Sequence, residues 1–114
     1  MVLHAPHALL IADPSSIARR EQLVALAAGH AMPAIYPIAY FAECGGLMSY
    51  GSALGSLYQQ VGTYAGRILK GAKPVDLPIE QNTKYDLVIN LKAAKALSLT
   101  VPASLLASAD EVIE

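Results

Sequence analysis

The sequence has little of what several classes of protein need. It contains a single cysteine, Cys44, which excludes an internal disulfide bond. Only 15% of its residues are charged and its net charge is −1, so it lacks the clustered Lys and Arg that bind nucleic-acid phosphates. Its longest apolar runs are far shorter than the roughly 20 residues that span a membrane. These absences argue against nucleic acid as a partner and against a transmembrane helix.

Motifs of common catalytic and cofactor sites are missing too. The glycines between residues 45 and 55 fit neither the G-x-G-x-x-G fingerprint nor a P-loop with its lysine. His4, His7 and His30 do not share a metal-ligand spacing. Nothing beside Cys44 supplies the base or the lowered pKa that a nucleophile requires. We therefore predict no catalytic residue, no metal and no cofactor, and we expect that the protein is not an enzyme.

What is present is enough for one domain with a substantial core. The chain has 114 residues, of which 54% are hydrophobic. Its first seven residues, MVLHAPH, have neither a basic leader nor a sustained apolar stretch, so we expect no signal peptide. The expectation is either a cytoplasmic protein or a piece of a longer one.

The central stretch, residues 43–70, predicts a strand that feeds a helix through a tight turn. The apolar run 47–50 is bounded by glycines, and residues 54–69 repeat apolar side chains at intervals of three and four. Ser52 is placed to cap the helix. Gly55, Gly62 and Gly66 weaken a helix, so we expect them to mark close packing on a sheet.

The segments before this stretch predict a second βα unit. Residues 7–12 and 33–37 read as short strands, and the serines after Asp13-Pro14 offer N-caps for a helix through about Ala28. We expect residues 38–43 to form one loose helical turn. Two strands joined by a helix favour a right-handed parallel crossover, and the predicted class is therefore α/β.

The composition changes after the central helix. Residues 77–86 read as a polar connector, followed by a strand at 87–90, a helix capped by Asn90 and a last helix near 103–112. The predicted organisation is an α/β body at 1–76, a hinge-like connector at 77–86 and a carboxyl-terminal strand with helices at 87–114.

Several blocks in fixed order resemble the carboxyl-terminal part of ABC-transporter substrate-binding proteins of the tryptophan-binding-protein-like kind. The blocks are GLMSYG at 46–51, RILKGAKP at 67–74, DLPIEQ at 76–81, LVINLKAAKAL at 87–97, VPASLL at 101–106 and ADEVI at 109–113.

The resemblance implies a flavodoxin-like three-layer fold, one half of a class I periplasmic binding protein, with a parallel sheet and helices on both faces. It also implies a receptor of two lobes that closes on a small solute and delivers it to an ABC permease outside the cytoplasm. Only the second lobe is matched, so we expect the tail helices to lack a partner where the first lobe would lie. Homodimerisation would then cover Leu97, Leu99, Leu105 and Leu106.

In such a lobe the cleft wall consists of the turns that follow the parallel strands. The candidate ligand-binding residues in these turns are Asp13, Ser15, Ser16, Tyr36, Ser49, Tyr50 and Ser52. Asp13 can accept hydrogen bonds from a ligand ammonium, the two serines and their helix amides can hold a carboxylate, and the tyrosines can offer ring faces. The alternatives are helix capping alone for Asp13 and its serines, and core-edge packing for the tyrosines.

The first functional hypothesis is thus a non-enzymatic lobe of an ABC-type solute receptor for a small amino-acid-like molecule. A second is a truncated or excised structural domain that self-associates without ligand function. A third is a small flavodoxin-like enzyme or signalling domain, for which the lone Asp13 is a poor catalytic or phosphoacceptor group.

Overall fold

The computed structural model describes residues 7–114. The chain divides into two compact units. The first unit comprises the chain up to Gly51 together with Asp86–Glu114, and the second is Ser52–Tyr85. His4 lies outside the described residues. The domain boundaries expected at residues 76 and 86 stay predictions.

A five-stranded sheet forms the centre of the first unit, with the strand order β1-β2-β3-β4-β5. The strands are β1 (Leu9–Leu10), β2 (Ala34–Tyr36), β3 (Met48–Ser52), β4 (Tyr85–Asn90) and β5 (Glu111–Ile113). β1 pairs with β2, β2 with β3 and β4 with β5, all in parallel. The Asn90 N–H donates to the Leu47 carbonyl at 2.8 Å, so the end of β4 lies beside the start of β3 and these two strands run in opposite directions.

The helices alternate with the strands and confirm the predicted α/β class. They are a 3-10 helix (Pro14–Arg19), α1 (Arg20–Gly29), α2 (Ala39–Glu43), α3 (Leu54–Leu69), a 3-10 turn (Pro74–Asp76), α4 (Leu91–Ala96) and α5 (Ala103–Ser108). None of the helices described is long and apolar enough to cross a membrane.

The helix predicted after Pro14 divides into two parts. The Ser16 N–H donates to the Asp13 carbonyl at 3.3 Å, the i to i+3 bond of a 3-10 turn, and the α-helical pattern starts only at Arg20. Within α1 the buried residues are Val24 and Ala27, whereas Leu26 is exposed.

The carboxyl-terminal segment differs from the expected single helix at 103–112. α5 ends at Ser108, and residues 111–113 form β5 instead. The Asp110 N–H donates to the Leu87 carbonyl at 2.8 Å and the Leu87 N–H donates to Asp110 Oδ2, also at 2.8 Å. This reciprocal pair fixes the chain beside β4 and prevents the helix from continuing.

Part of the tail packs within the first unit, whereas a missing partner for the tail helices stays a prediction. Val88 and Ile89 of β4 are among the largest fully buried side chains of the first unit, together with Tyr36 and Phe41. The Asn90 side chain donates to the Ala42 carbonyl at 3.0 Å and caps α4 as predicted. Among the four tail leucines only Leu99 is exposed.

The second unit consists of α3 and the connector that follows it. Gln60 Nε2 donates to Glu80 Oε2 at 2.7 Å, the Tyr64 hydroxyl donates to the Pro78 carbonyl, and the Ala53 N–H donates to the Lys84 carbonyl at 3.1 Å. No residue of α3 is buried. The connector is therefore held along the helix by polar contacts.

Two sequence expectations about α3 are wrong. Its N-cap is Ala53, which makes no side-chain cap bond, so Ser52 does not cap it. A Cβ built on Gly55, Gly62 or Gly66 meets no described atom within 4 Å outside the helix's own backbone. These glycines therefore mark no close packing in the described part of the chain.

Candidate functional site

Three parallel strands bring their carboxyl ends to one edge of the sheet. The pairing aligns Leu10 with Ile35, and Tyr36 with Ser49. The Ile11 N–H donates to the Ile35 carbonyl at 3.0 Å, so the alignment continues past β1. We call residues 12–16, 37–38 and 49–51 the carboxyl edge. Ligands of parallel α/β folds bind at this kind of edge, where loops follow the strands.

Asp13, Ser15 and Ser16 form one hydrogen-bonded turn after β1. Asp13 Oδ1 accepts from the Ser15 N–H at 2.9 Å, and its Oδ2 accepts from the Ser15 hydroxyl at 2.6 Å. The Ser16 hydroxyl donates to the Asp13 carbonyl at 2.7 Å. Asp13 is thus the N-cap of the 3-10 helix, and the amides of both serines are already engaged within the turn.

The same contacts set the protonation state of Asp13. Hydrogen bonds from the Ser15 hydroxyl and then from the Ser15 N–H hold the pKa of the Asp13 carboxyl below its usual range. The group is exposed and remains anionic at neutral pH. The turn therefore presents a negative charge at the carboxyl edge, and a carboxylate has lone pairs beyond the two that Ser15 uses.

Tyr36 is the last residue of β2, and its side chain points into the interior of the first unit. It is 1% exposed and stacks on Phe41, with ring centroids 4.8 Å apart and planes 10° from parallel. Burial, with a smaller contribution from Cys44, raises the pKa of the Tyr36 phenol. Gly46 makes room for the ring, since a Cβ there would lie 2.8 Å from Tyr36 Cε2.

Ser49 and Tyr50 are neighbours on β3 and point to opposite faces of the sheet, as successive strand residues do. Ser49 is 1% exposed, and its Oγ has no hydrogen-bond partner among the described residues. Tyr50 is 56% exposed. Ser52, partly exposed at the end of β3, belongs to the second unit.

The end of β3 lies tightly against the turn that follows β2. A Cβ on Gly51 would lie 1.8 Å from the Pro37 carbonyl oxygen, closer than any real contact. Only glycine fits at this position. The close approach fixes Tyr50, one residue earlier, at the carboxyl edge.

The structure therefore sorts the predicted residues of the first unit into three groups. Asp13, Ser15 and Ser16 form a polar surface turn, whereas Tyr36 and Ser49 are cross-strand neighbours in the interior. Tyr50 lies on β3 with its side chain exposed. Ligand contact by these residues and by Ser52 stays a prediction.

Sequence reasoning missed an open pocket of about 490 Å³ between the start of α1 and α2. Its lining residues are Ile17, Arg20, Glu21, Tyr40, Glu43 and Cys44. The spacing of Tyr40, Glu43 and Cys44 puts them on one helical face, but nothing local indicates that α1 lies opposite. Burial raises the pKa of Cys44 despite the opposing charge of Arg20, and its Sγ lies 3.3 Å from the Phe41 carbonyl oxygen.

Among residues 7–114 no group of three or more His, Cys, Asp and Glu side chains is placed to hold a metal ion. The carboxyl edge presents one carboxylate, serine hydroxyls and a tyrosine ring. These groups suit hydrogen bonding and stacking with a small polar molecule.

Comparison with known families gives a match over nearly the whole chain. The family model of ABC transporter substrate binding proteins matches residues 5–113. Comparison with curated proteins gives no match.

Solved structures agree with that match. An ABC domain from Streptococcus pneumonia in complex with L-Trp is 30% identical with a TM-score of 0.84, over 94% of this chain and 38% of that chain. A conserved domain protein from Vibrio cholerae is 29% identical with a TM-score of 0.81, over 90% and 34%. A ligand-free, open substrate binding protein with adhesive properties from Clostridium difficile shares the fold, at 19% identity and a TM-score of 0.57, over 93% and 35%. The chain therefore spans about a third of the length of the solved proteins it resembles.

Proposed function

Because the chain belongs to the family of ABC transporter substrate-binding proteins, we propose that it is one lobe of a solute receptor and binds a small amino-acid-like molecule at its carboxyl edge. The observation that carries this proposal is its 30% identity, over 94% of its length, to a protein crystallised in complex with L-Trp. In this reading the receptor delivers its solute to an ABC importer outside the cytoplasm.

The Asp13 turn would receive the ligand's ammonium group. The Asp13 carboxylate is anionic, exposed and held in one orientation by Ser15, so little ordering is needed when the ligand binds. The Ser15 oxygen also keeps an acceptor lone pair beside the carboxylate. The serine amides donate within the turn, which favours the ammonium over the carboxylate as the group bound here.

Tyr50 would receive the apolar part of the ligand. β1 and β3 are separated by two strand spacings, about 10 Å, which is close to the length of an aromatic amino acid. The half-exposed Tyr50 ring offers a stacking surface at that distance from the Asp13 turn. Tyr36 and Ser49 are buried, so they are not assigned to this ligand, and contact by Ser52 stays a sequence prediction.

Binding to this lobe alone is expected to be weak. A half-site buries part of the ligand and leaves the rest in water, so less surface is removed to offset the entropy lost on association. A second lobe, supplied by another polypeptide segment, would close the site. The proposal of a second lobe is supported by the length of the solved relatives, because this chain spans only 34–38% of them.

The test is an NMR titration of the chain with L-Trp and with indole-3-propionate, which lacks the ammonium. We expect L-Trp to shift amide signals of residues 12–16 and 50 with a Kd weaker than about 10 µM. Asp13→Asn should weaken L-Trp about tenfold or more, since hydrogen bonds to charged groups contribute about 1.5–3 kcal/mol, and should leave indole-3-propionate unchanged.

Asp76→Asn is the matched control, because Asp76 is an exposed acidic residue of the second unit. The proposal is contradicted if Asp76→Asn weakens L-Trp as much as Asp13→Asn does. It is also contradicted if no amino acid of a full panel shifts the carboxyl edge at 10 mM, a concentration of the order used to detect millimolar binding. Submicromolar affinity would contradict the half-site.

Self-association without ligand binding is the second candidate. The observation in its favour is the exposure of Tyr58, Val61 and Leu69 on α3. Light scattering across a concentration series, with and without Val61→Glu, distinguishes it: a dimer that the glutamate dissociates supports this candidate, and a concentration-independent monomer removes it.

A further inference from the structure

We draw no further inference here: the strongest candidate, the exposed apolar face of α3 formed by Tyr58, Val61, Ile68 and Leu69, carries nothing because nothing in the described part of the chain shows what covers it.

Discussion

At Gly51 the structure leaves no space for a side chain. A Cβ there would lie 1.8 Å from the Pro37 carbonyl oxygen, and relief of that clash must move backbone rather than a flexible side chain. We expect Gly51→Ala to lower the free energy of unfolding by about 3 kcal/mol or more, at the upper end of overpacking effects. Urea denaturation measures the change.

Gly29→Ala is the control for that substitution, because a Cβ on Gly29 meets nothing within 4 Å. Because Gly29 ends α1, alanine there should leave the free energy of unfolding unchanged or raise it by up to about 1 kcal/mol. Tolerance of alanine at both positions would contradict the close approach of β3 to Pro37.

Ala31 carries a left-handed backbone conformation that favours glycine. Its φ is +49°, just after the end of α1, and Ser98 has a φ of +56° after α4. We expect Ala31→Gly and Ser98→Gly each to raise the free energy of unfolding by roughly 0.5–1 kcal/mol, since glycine meets no Cβ penalty there. Thermal and urea unfolding give the values.

Ala25→Gly serves as the opposite case, because Ala25 is an exposed helical residue of α1. It should destabilise by roughly 0.5–1 kcal/mol. If glycine destabilises at Ala31 as it does at Ala25, the left-handed conformation is not present in solution.

The Asp13 turn gives a pH dependence with a definite sign. The two hydrogen bonds from Ser15 lower the folded-state pKa of Asp13 below its unfolded value. The contribution to stability is therefore present above the unfolded pKa and is lost as the pH falls through the folded pKa. Ser15→Ala removes the hydroxyl bond, so the pKa of Asp13 should rise toward its ordinary value. A carboxyl ¹³C titration that leaves the Asp13 pKa unchanged in Ser15→Ala would contradict this assignment.

How far the site was predictable depends on how local its contacts are. The turn at Asp13 joins residues two and three positions apart, so the sequence Asp-Pro-Ser-Ser was enough to indicate a capped turn, although the cap is Asp13 and not one of the serines first expected. The burial of Tyr36 depends on Phe41 and on the space that Gly46 leaves, and the burial of Ser49 depends on its cross-strand neighbour. A run such as residues 47–50 predicts a strand but does not say which of its faces will be covered.

At the scale of elements, α3 contains three glycines at positions where the described structure has room for a larger side chain. Gly55, Gly62 and Gly66 meet no described atom outside the helix, yet glycine costs about 1 kcal/mol relative to alanine inside a helix. Each Gly→Ala change at these positions should raise the free energy of unfolding of α3 by roughly 0.5–1 kcal/mol. Helix content from circular dichroism during urea titration measures it.

Gly71→Ala is the matched control. Gly71 follows α3 with a φ of +109°, so alanine there should lower the free energy of unfolding. Destabilisation by alanine at Gly55, Gly62 and Gly66 as well would show that these positions are in close contact with something in solution.

The elements also show where local signals end. Glycine and proline punctuation predicted α2, β3 and the bounds of α3 to within a few residues. β5 was missed because its position depends on Asp110 and Leu87, which are 23 residues apart and bond reciprocally. Likewise, no local pattern indicates that β4 lies next to β3.

At the scale of the whole molecule, the two units differ in how much they bury. The first contains a sheet whose central strands supply fully buried side chains, including Ile89 from the tail. The second contains α3, none of whose residues is buried. In a chain that spans about a third of its solved relatives, the stability of such a helix depends on what else it contacts.

This difference predicts a gradient of local stability that amide hydrogen exchange can measure. Amides open with free energies that range from near zero for poorly buried segments to the global value for the core. In the free chain, the amides of Leu57–Tyr64 should therefore exchange at least about tenfold faster than those of Val88–Asn90, a difference of about 1.4 kcal/mol in opening free energy. α1 is the internal control, because it is also a helix but buries Val24 and Ala27. Slow exchange of α1 together with fast exchange of α3 is the expected result, and protection of α3 equal to that of β4 would show that the helix is buried in solution against a surface that the described residues do not reveal.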